Sequence, residues 1–194
     1  MKIFFDTEFT GLNQKTTLIS IWLISEDGKT FYWEFTDYDK TQIDSWLQEN
    51  VINNLVMKVP DEWEDEYFYI ERHSSNLVWN DLYKGYSHQM RWDHHKIKGY
   101  LKVWFSQFDS VEMWSDCLSY DWVLFNTLMA DYSQGYPKLP KNVNYIPFDI
   151  CTLFKMKWID PDISREEFSG MDGKKHNALY DAEVIRECYN KLIK

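Results

Sequence analysis

Two carboxylates, Asp6 and Glu8, interrupt an apolar segment near the amino terminus, KIFFDTEFTGL at residues 2–12. The neighbouring Ile3 and Phe4 are typical of a buried strand, where an unpaired carboxylate is costly. Side chains alternate along a strand, so the two carboxylates point to the same face, about 6.6 Å apart at a rise of about 3.3 Å per residue. A pair at this spacing can hold one divalent cation, and oxygen ligands without sulfur or histidine favour Mg²⁺ or Mn²⁺ over Zn²⁺.

The Asp-x-Glu spacing alone carries little information, because 18 Asp and 13 Glu in 194 residues predict on the order of one such triplet by chance. A second triplet, Asp181-Ala182-Glu183, occurs in a segment with helical periodicity. Residues two apart on a helix do not share a face, so that pair cannot chelate one ion. The placement of Asp6 and Glu8 on an apolar first strand is what favours a functional interpretation.

A third carboxylate is predicted at the start of a helix that follows the short strand VEMWS, residues 111–115. Asp121 lies in the first turn of this helix, within SYDWVLFNTL. An acidic residue there also interacts favourably with the helix dipole, which explains it without any catalytic role. Asp116 competes with Asp121 for the catalytic role. Asp121 is preferred because a residue at a helix start can project back over the sheet edge.

The segment HNALYDAEV, residues 176–184, adds a histidine and a fourth carboxylate. Asp181 lies in the last predicted helix and borders the face that packs on the sheet, where a bare carboxylate is costly. His176 precedes that helix, in the loop that contains DGKK, so it can reach over the site. Histidine is suited to take a proton from water near neutral pH, although a lone loop histidine often has no role.

In order and spacing, these motifs resemble those of the DEDDh 3′–5′ exonucleases, a family of the ribonuclease H-like superfamily. The resemblance rests on FFDTEFTGL for the first motif, Asp121 for the second, and His176 with Asp181 for the third. It is strongest for a bacterial and phage subgroup of exoribonucleases, which share DTEF, W…YD and H-x-AL-x-DA. The sequence departs from many family members at SDCLS, before the second motif, so Asp116 stays an alternative.

Membership of that family would imply hydrolysis of phosphodiesters from a free 3′ end with two divalent cations, Mg²⁺ or Mn²⁺. By this resemblance Asp6 bridges both ions. Glu8 and Asp181 complete one ion site, and Asp121 holds the second ion. His176 would deprotonate the attacking water, and the product would be a nucleoside 5′-monophosphate. Two ions about 3.5–4 Å apart stabilise the attacking and leaving oxygens, and bound cations make clustered carboxylates tolerable.

The residues that follow Glu8 are candidates for substrate contacts. Thr10 and Gly11 could bring backbone N–H groups close to a terminal nucleotide. The resemblance also implies that Leu12 wedges near the terminal bases, and Phe9 belongs to the same candidate substrate-binding segment. The alternative explanation of this segment is a simple turn at the exit of the strand.

The elements that must position these residues predict an α/β fold with a mixed sheet flanked by helices, which the resemblance identifies as ribonuclease H-like. Strands are predicted at Lys2–Phe9, Leu18–Ser25, 30–36, 111–115 and near 145–148, with a hairpin turn at 26–28. Helices are predicted at 41–56, 96–108, 120–130 and 178–193, and Asp149 is placed as a helix N-cap. One domain spans 1–194, and 57–95 is predicted to be an insertion with only local structure.

Composition limits the classes of protein to which the chain can belong. The net charge of −10 argues against duplex binding by electrostatics alone, and DEWEDEY at 61–67 is typical of a solvated acidic loop. The absence of a roughly 20-residue apolar run argues against a membrane helix, and three widely spaced cysteines favour a cytoplasmic protein. Lys174 and Lys175 could meet a phosphate or stay solvated. The adjacent His94 and His95 are predicted to be surface residues.

Three hypotheses about function follow from these patterns. The first is a 3′–5′ exonuclease acting on single-stranded or 3′-overhang nucleic acid, with RNA favoured by the resemblance. The second is an inactive module that only holds single-stranded nucleic acid. The third is an interaction protein whose segment 57–95 mimics nucleic acid toward a partner. Discriminating RNA from DNA needs contacts to the 2′-hydroxyl, which motifs do not reveal. The oligomeric state stays open, a homodimer included.

Overall fold

The computed structural model describes residues 1–57, 68–72, 87–131, 136–173 and 175–194. Its strands are β1 (Lys2–Phe9), β2 (Leu18–Ser25), β3 (Thr30–Phe35), β4 (Phe68–Arg72), β5 (Ser87–Trp92), β6 (Glu112–Ser115), β7 (Ala130–Asp131), β8 (Tyr136–Pro137) and β9 (Phe148–Asp149). Seven of them form one sheet in the order β4-β5-β3-β2-β1-β6-β9, and β7 pairs with β8 in a separate hairpin.

The sheet is mixed, as the sequence predicts. The first three strands pair in antiparallel fashion, with a turn at Gly28, whose positive φ of 90° suits glycine. Strands β6 and β9 continue the sheet from β1 in parallel orientation, and β5 pairs in parallel with β3 at the other side. The carboxyl ends of the parallel strands β1, β6 and β9 therefore lie at the same end of the sheet, and the candidate site lies there.

Helices cover both faces of the sheet. They are α1 (Ser45–Asn50), α2 (His94–Phe105), α3 (Asp121–Met129), α4 (Ile150–Met156), α5 (Arg165–Ser169) and α6 (Ala178–Leu192). Helices α2 and α3 pack on the face that carries Ile3 and Phe5, whereas α4 and α6 pack on the face that carries Phe4. Helices on both faces bury β1, β2 and β3 along almost their whole length, which explains the apolar side chains on both faces of these strands.

The prediction of one continuous helix at 41–56 is wrong. The structure has a 3₁₀ turn at Lys40–Gln42, then α1, then a second 3₁₀ turn at Ile52–Asn54. The side chain of Asp39 caps the first turn and that of Asp44 caps α1, with Ile43 extended between them. Two such caps start two separate helical segments, and apolar periodicity alone does not reveal this break.

The prediction of only local structure for 57–95 is also wrong for the described residues of that segment. Strand β5 pairs with β3 over six residues and places β4 at the edge of the main sheet. Helix α2 begins at His94 rather than 96 because the side chain of Asp93 caps it. The acidic stretch at 61–67 lies outside the described residues. That 57–95 is an insertion within one domain stays a prediction.

The remaining predicted elements are found with small changes in their bounds. The strand expected near 145–148 is β9, and Asp149 accepts hydrogen bonds from the N–H groups of Cys151 and Thr152 as the N-cap of α4. The α/β class and the ribonuclease H-like mixed sheet are confirmed. Within the described ranges, no helix combines the length and the apolar character needed to cross a membrane.

Candidate active site

Strand β1 delivers two carboxylates to one face of the sheet. Asp6 and Glu8 alternate with Thr7, so they share the face of Phe4, toward α6, while Thr7 points toward α3. Each of the two acidic residues is only 9% exposed. The strand is flanked by β2 and β6, which hold its backbone in register. Both carboxylates are therefore fixed at the carboxyl end of a central strand.

The carboxylates form two groups that share one residue. Oxygen atoms of Asp6, Glu8 and Asp181 lie within 4.8 Å of one another, and so do oxygen atoms of Asp6, Asp116 and Asp121. We call these the first and second triads. Helix α6 supplies Asp181 and helix α3 supplies Asp121, so residues far apart in the chain meet at Asp6. The structure thus brings together the four carboxylates of the predicted site, and the alternative Asp116 lies with them.

Two hydroxyl groups hold Asp121 in place, and sequence reasoning missed both. The Thr7 Oγ1 hydroxyl donates to one carboxylate oxygen at 2.6 Å, and the Ser115 hydroxyl donates to the other. Asp121 is 1% exposed, so these bonds replace the solvation that the carboxylate loses. A hydroxyl residue between Asp6 and Glu8, facing the opposite side of the strand, is the sequence signal that could have identified Thr7.

Replacing Thr7 with valine is expected to destabilise the protein by about 1–3 kcal/mol, because a buried carboxylate loses a hydrogen bond while the side-chain volume is kept. Chemical denaturation of the metal-free protein measures this change. Thr7→Ser keeps the hydroxyl and is the control. If serine and valine lower the free energy of unfolding equally, the hydrogen bond to Asp121 is not what stabilises this position.

Asp116 differs from Asp121 in its partner. Its Oδ2 forms an ion pair with Arg165 Nε at 2.9 Å, at the start of α5. The same guanidinium group contacts the sulfur of Cys151 at 2.8 Å. Asp116 therefore already has a cation beside it, whereas Asp121 has only neutral hydroxyl partners among the hydrogen bonds described. This contrast supports Asp121 as the carboxylate with capacity left for a metal ion.

The electrostatics of the triads oppose ionisation. Burial raises the pKa of Asp6 well above its usual value, and the charges of Asp121 and Asp181 raise it further. Burial also raises the pKa of Glu8, again with help from Asp181. Burial raises the pKa of Asp121 to about 7, although hydrogen bonds from Ser115 and Thr7 lower it. Burial likewise raises the pKa of Asp181 to about 7, although backbone hydrogen bonds from Asn177 and His176 lower it. A divalent cation would relieve this repulsion.

His176 precedes α6 with a left-handed backbone, φ 58°. Its ring packs edge-on against Trp46 of α1, with centroids 4.8 Å apart, and it belongs to neither triad. The backbone N–H of Asn177 donates to Asp181 at 3.2 Å, so the segment that carries His176 contacts the cluster. Burial, with the charge of Lys175, lowers the pKa of His176, which keeps the imidazole neutral at neutral pH.

The predicted substrate segment forms a tight turn after β1. The N–H groups of Thr10 and Gly11 donate to Thr17 O at 3.0 Å and to Thr16 Oγ1 at 3.1 Å, so both are engaged within the turn. That Thr10 and Gly11 bring these N–H groups close to a terminal nucleotide stays a prediction. Leu12, in contrast, is 74% exposed.

Other residues named from the sequence lie around this site or away from it. Phe9 stacks on Tyr120, with ring centroids 5.1 Å apart. Lys175 forms an ion pair with Glu166 at 2.9 Å, and Lys174 lies outside the described residues. His94 pairs with Asp37 and, with His95, lies outside both triads, which leaves the two histidines without a place in the candidate site.

The site combines two carboxylates on the first strand of a ribonuclease H-like sheet with carboxylates from α3 and α6. Such a cluster of acidic residues is expected of a metal-dependent nuclease. Residues 1–193 match the Rv2179c-like 3′–5′ exoribonuclease domain, and the chain belongs to this family. It is 25% identical over 141 residues to the 3′–5′ exoribonuclease Rv2179c of Mycobacterium tuberculosis strain H37Rv. The match covers 73% of this chain and 68% of that protein. The 3′–5′ exoribonuclease MT2234.1 of strain CDC 1551 matches to the same extent. The resemblance to exoribonucleases found in the motifs is thereby confirmed.

Proposed function

We propose that this chain is a metal-dependent 3′–5′ exoribonuclease that removes nucleoside 5′-monophosphates from the 3′ end of single-stranded or 3′-overhang RNA. The observation that carries the proposal is the pair of carboxylate triads that share Asp6. Two adjacent oxygen-rich groups with a common member suit two divalent cations that act on one phosphodiester. Membership of an exoribonuclease family, with two relatives named as exoribonucleases, supports RNA as the substrate.

The donor set of the triads fits Mg²⁺ or Mn²⁺. All the candidate ligand atoms are carboxylate oxygens, which these hard ions prefer. Burial and the neighbouring carboxylates raise the pKa of Asp6, and a bound cation would favour its ionised form. Asp6 would contact both ions, Glu8 and Asp181 one of them, and Asp121 the other. When bound, such ions stabilise the charge that develops on the attacking and leaving oxygens.

The protein's own residues prepare this site. Thr7 and Ser115 fix the orientation of Asp121, so its carboxylate need not reorganise when it is ionised. Within the second triad, Arg165 pairs with Asp116 and offsets its charge. Leu12, which is 74% exposed and follows the end of β1 by three residues, is the residue that would pack against the terminal bases.

His176 is the proposed general base. It would accept the proton of the attacking water at a ring nitrogen, which requires the neutral imidazole. Its segment contacts Asp181 through the Asn177 N–H, and its ring is held next to Trp46, which is 50% exposed. Substrate binding would move the ring from Trp46 toward the scissile phosphate.

Replacing His176 with alanine is expected to lower kcat by about 10²–10⁴-fold, the usual contribution of a general base. Metal affinity should change little, because His176 is in neither triad. The base must be unprotonated, and the pKa of His176 is lowered from the ordinary histidine value of 6.5. Wild-type kcat/KM should therefore rise with pH, with its midpoint at a pH below 6.5. Steady-state kinetics from pH 5 to 9 measure both effects. His95→Ala is the control, and an unchanged kcat for His176→Ala would rule out this role.

The activity is tested with a 5′-labelled 3′-overhang RNA and its DNA counterpart, each incubated with the purified protein and Mg²⁺ or Mn²⁺. The expected result is stepwise shortening from the 3′ end, faster for RNA, and abolished by chelator. Internal cleavage would contradict the exonuclease assignment. Binding of the RNA without shortening under either metal would instead indicate a module that only holds nucleic acid.

A further inference from the structure

A groove of about 770 Å³ runs along the outer side of α3, apart from the two carboxylate triads. One wall is the exposed face of α3, which carries Val123, Asn126 and Thr127, with Ala130 just beyond its end. These positions recur at three- and four-residue intervals, so they form a single stripe along the helix. The opposite wall is the chain segment 138–145.

The groove has a charge opposite to that of the whole protein. Its lining residues include Lys138 and Lys141, both exposed, and none of the lining residues that the structure describes is acidic. The chain as a whole carries a net charge of −10. Tyr145, at the groove wall, is 75% exposed and offers an aromatic ring to solvent. Two cationic side chains with an exposed aromatic ring are the features that bind a phosphate backbone and stack a base.

The groove begins on the helix that also carries a triad residue. Val123 and Asp121 both lie in the first turn of α3, but Asp121 is buried and Val123 is exposed on another side of the helix, so a strand would have to pass around the start of α3 between the triads and the groove. At the other end of the helix, the Lys138 N–H donates to Met129 O at 3.0 Å. At about 1.5 Å per residue, the stripe from Val123 to Ala130 spans roughly 10 Å, which matches about three stacked nucleotides at about 3.4 Å each.

We propose that this groove binds the single-stranded segment of the substrate that lies on the 5′ side of the scissile nucleotide. The proposal rests on the proposed function, because it assigns a path to the chain whose 3′ end enters the triads. Lys138 and Lys141 contact phosphates of this segment, and Tyr145 stacks on one of its bases. An acidic peptide would also suit the lysines. The exposed aromatic ring of Tyr145 at the groove wall, and the start of the groove on the helix that carries Asp121, favour the polynucleotide.

The test compares a ribodinucleotide, which is too short to reach the groove, with a 12-nucleotide single-stranded RNA. The ratio of kcat/KM for the 12-mer to kcat/KM for the dinucleotide is expected to fall about tenfold in Lys138→Ala/Lys141→Ala, and similarly in Tyr145→Ala. Lys157→Ala is the control, because Lys157 is an exposed lysine at the end of α4 on the other face of the sheet. An unchanged ratio, or an equal fall in the control, would overturn the proposal.

Binding of the fluorescent 12-mer in EDTA provides a readout that needs no catalysis. The double lysine variant is expected to reduce the slope of log Kd against log salt concentration by about 1.4, at about 0.7 per phosphate contact on a single strand. A slope equal to that of the wild type would overturn the groove assignment. If the wild type cleaves neither RNA but the double lysine variant still has the smaller slope, the proposed catalytic function is wrong and the proposed binding groove is supported.

Discussion

Replacing Asp6 with asparagine is expected to lower kcat by at least about 10³-fold, because Asp6 is the residue common to both triads. Asparagine keeps the shape of the side chain but removes the charge that would hold both cations. Single-turnover hydrolysis of a 5′-labelled RNA at saturating Mn²⁺ measures this loss. It separates the chemical step from product release.

The same substitution is expected to raise the free energy of unfolding of the metal-free protein. Burial and the charges of neighbouring carboxylates raise the pKa of Asp6, so the folded state disfavours its ionised form. Urea denaturation in EDTA at pH 8 measures this effect. Asp109→Asn, an exposed aspartate outside both triads, is the control. A variant of Asp6 that keeps more than a tenth of the wild-type kcat would contradict its bridging role.

The choice between Asp121 and Asp116 is tested by a matched pair of asparagine substitutions. Asp121→Asn is expected to lower Mn²⁺ affinity far more than Asp116→Asn, because Asp116 is already paired with Arg165. Isothermal titration with Mn²⁺ gives the stoichiometry and the affinity directly. A greater loss in Asp116→Asn would reverse the assignment of the second motif.

The second large effect concerns stability, which is expected to depend on both pH and metal. In the unfolded chain the triad carboxyls lose their protons near their ordinary pKa of about 4. In the folded protein, Asp121 and Asp181 keep them up to a pKa of about 7. Between these values the folded state binds more protons, so the metal-free protein loses stability as pH rises from about 4 to about 7.

Bound cations reverse this trend because they favour the ionised carboxylates. A divalent ion at about 100 times its Kd adds about 2.7 kcal/mol, or roughly 5–10 °C in Tm for a chain of this size. Thermal unfolding at pH 5, 6, 7 and 8, in EDTA and in Mn²⁺, measures the effect. The rise in Tm should be largest at pH 8 and small at pH 5.

A control is needed because other acids titrate with the opposite sign. Hydrogen bonds from Thr41 and Gln42, for example, lower the pKa of Asp39, so its contribution to stability is lost as pH falls. Asp6→Asn isolates the contribution of the triads to the rise in Tm, because it removes the carboxylate that both triads share. The rise in Tm with Mn²⁺ should therefore be much smaller in this variant. A Tm increase that is equal at pH 5 and pH 8 would show that the ions bind elsewhere.

Much of the fold was predictable because the central strands are buried on both faces. Strands β1 and β2 have the bounds predicted from their apolar runs. Strand β5, SHQMRW, lacks such a run, and its pairing with β3 is a tertiary contact that local pattern does not reveal. The broken helix at 41–56 was missed for a different reason. There, two aspartate caps outweigh apolar periodicity.

The candidate site was predictable to the extent that its residues are acidic and lie on recognisable elements. The structure brings Asp6, Glu8, Asp121 and Asp181 together in two triads. The position of Thr7 in the strand marks its hydroxyl as a candidate, but its partner could not be predicted, because the hydrogen bond joins residues 114 positions apart. The pairing of Asp116 with Arg165 is similarly a product of how α5 docks beside the sheet.

The central claim is that Asp6 lies between two cations that act on one phosphodiester. The most direct test is a crystal structure of the protein grown with Mn²⁺ and measured at a wavelength where manganese scatters anomalously. Two anomalous peaks about 3.5–4 Å apart are expected, one at each triad, with Asp6 contacting both. One peak away from Asp6, or no peak at saturating Mn²⁺, would contradict the bridging role of Asp6.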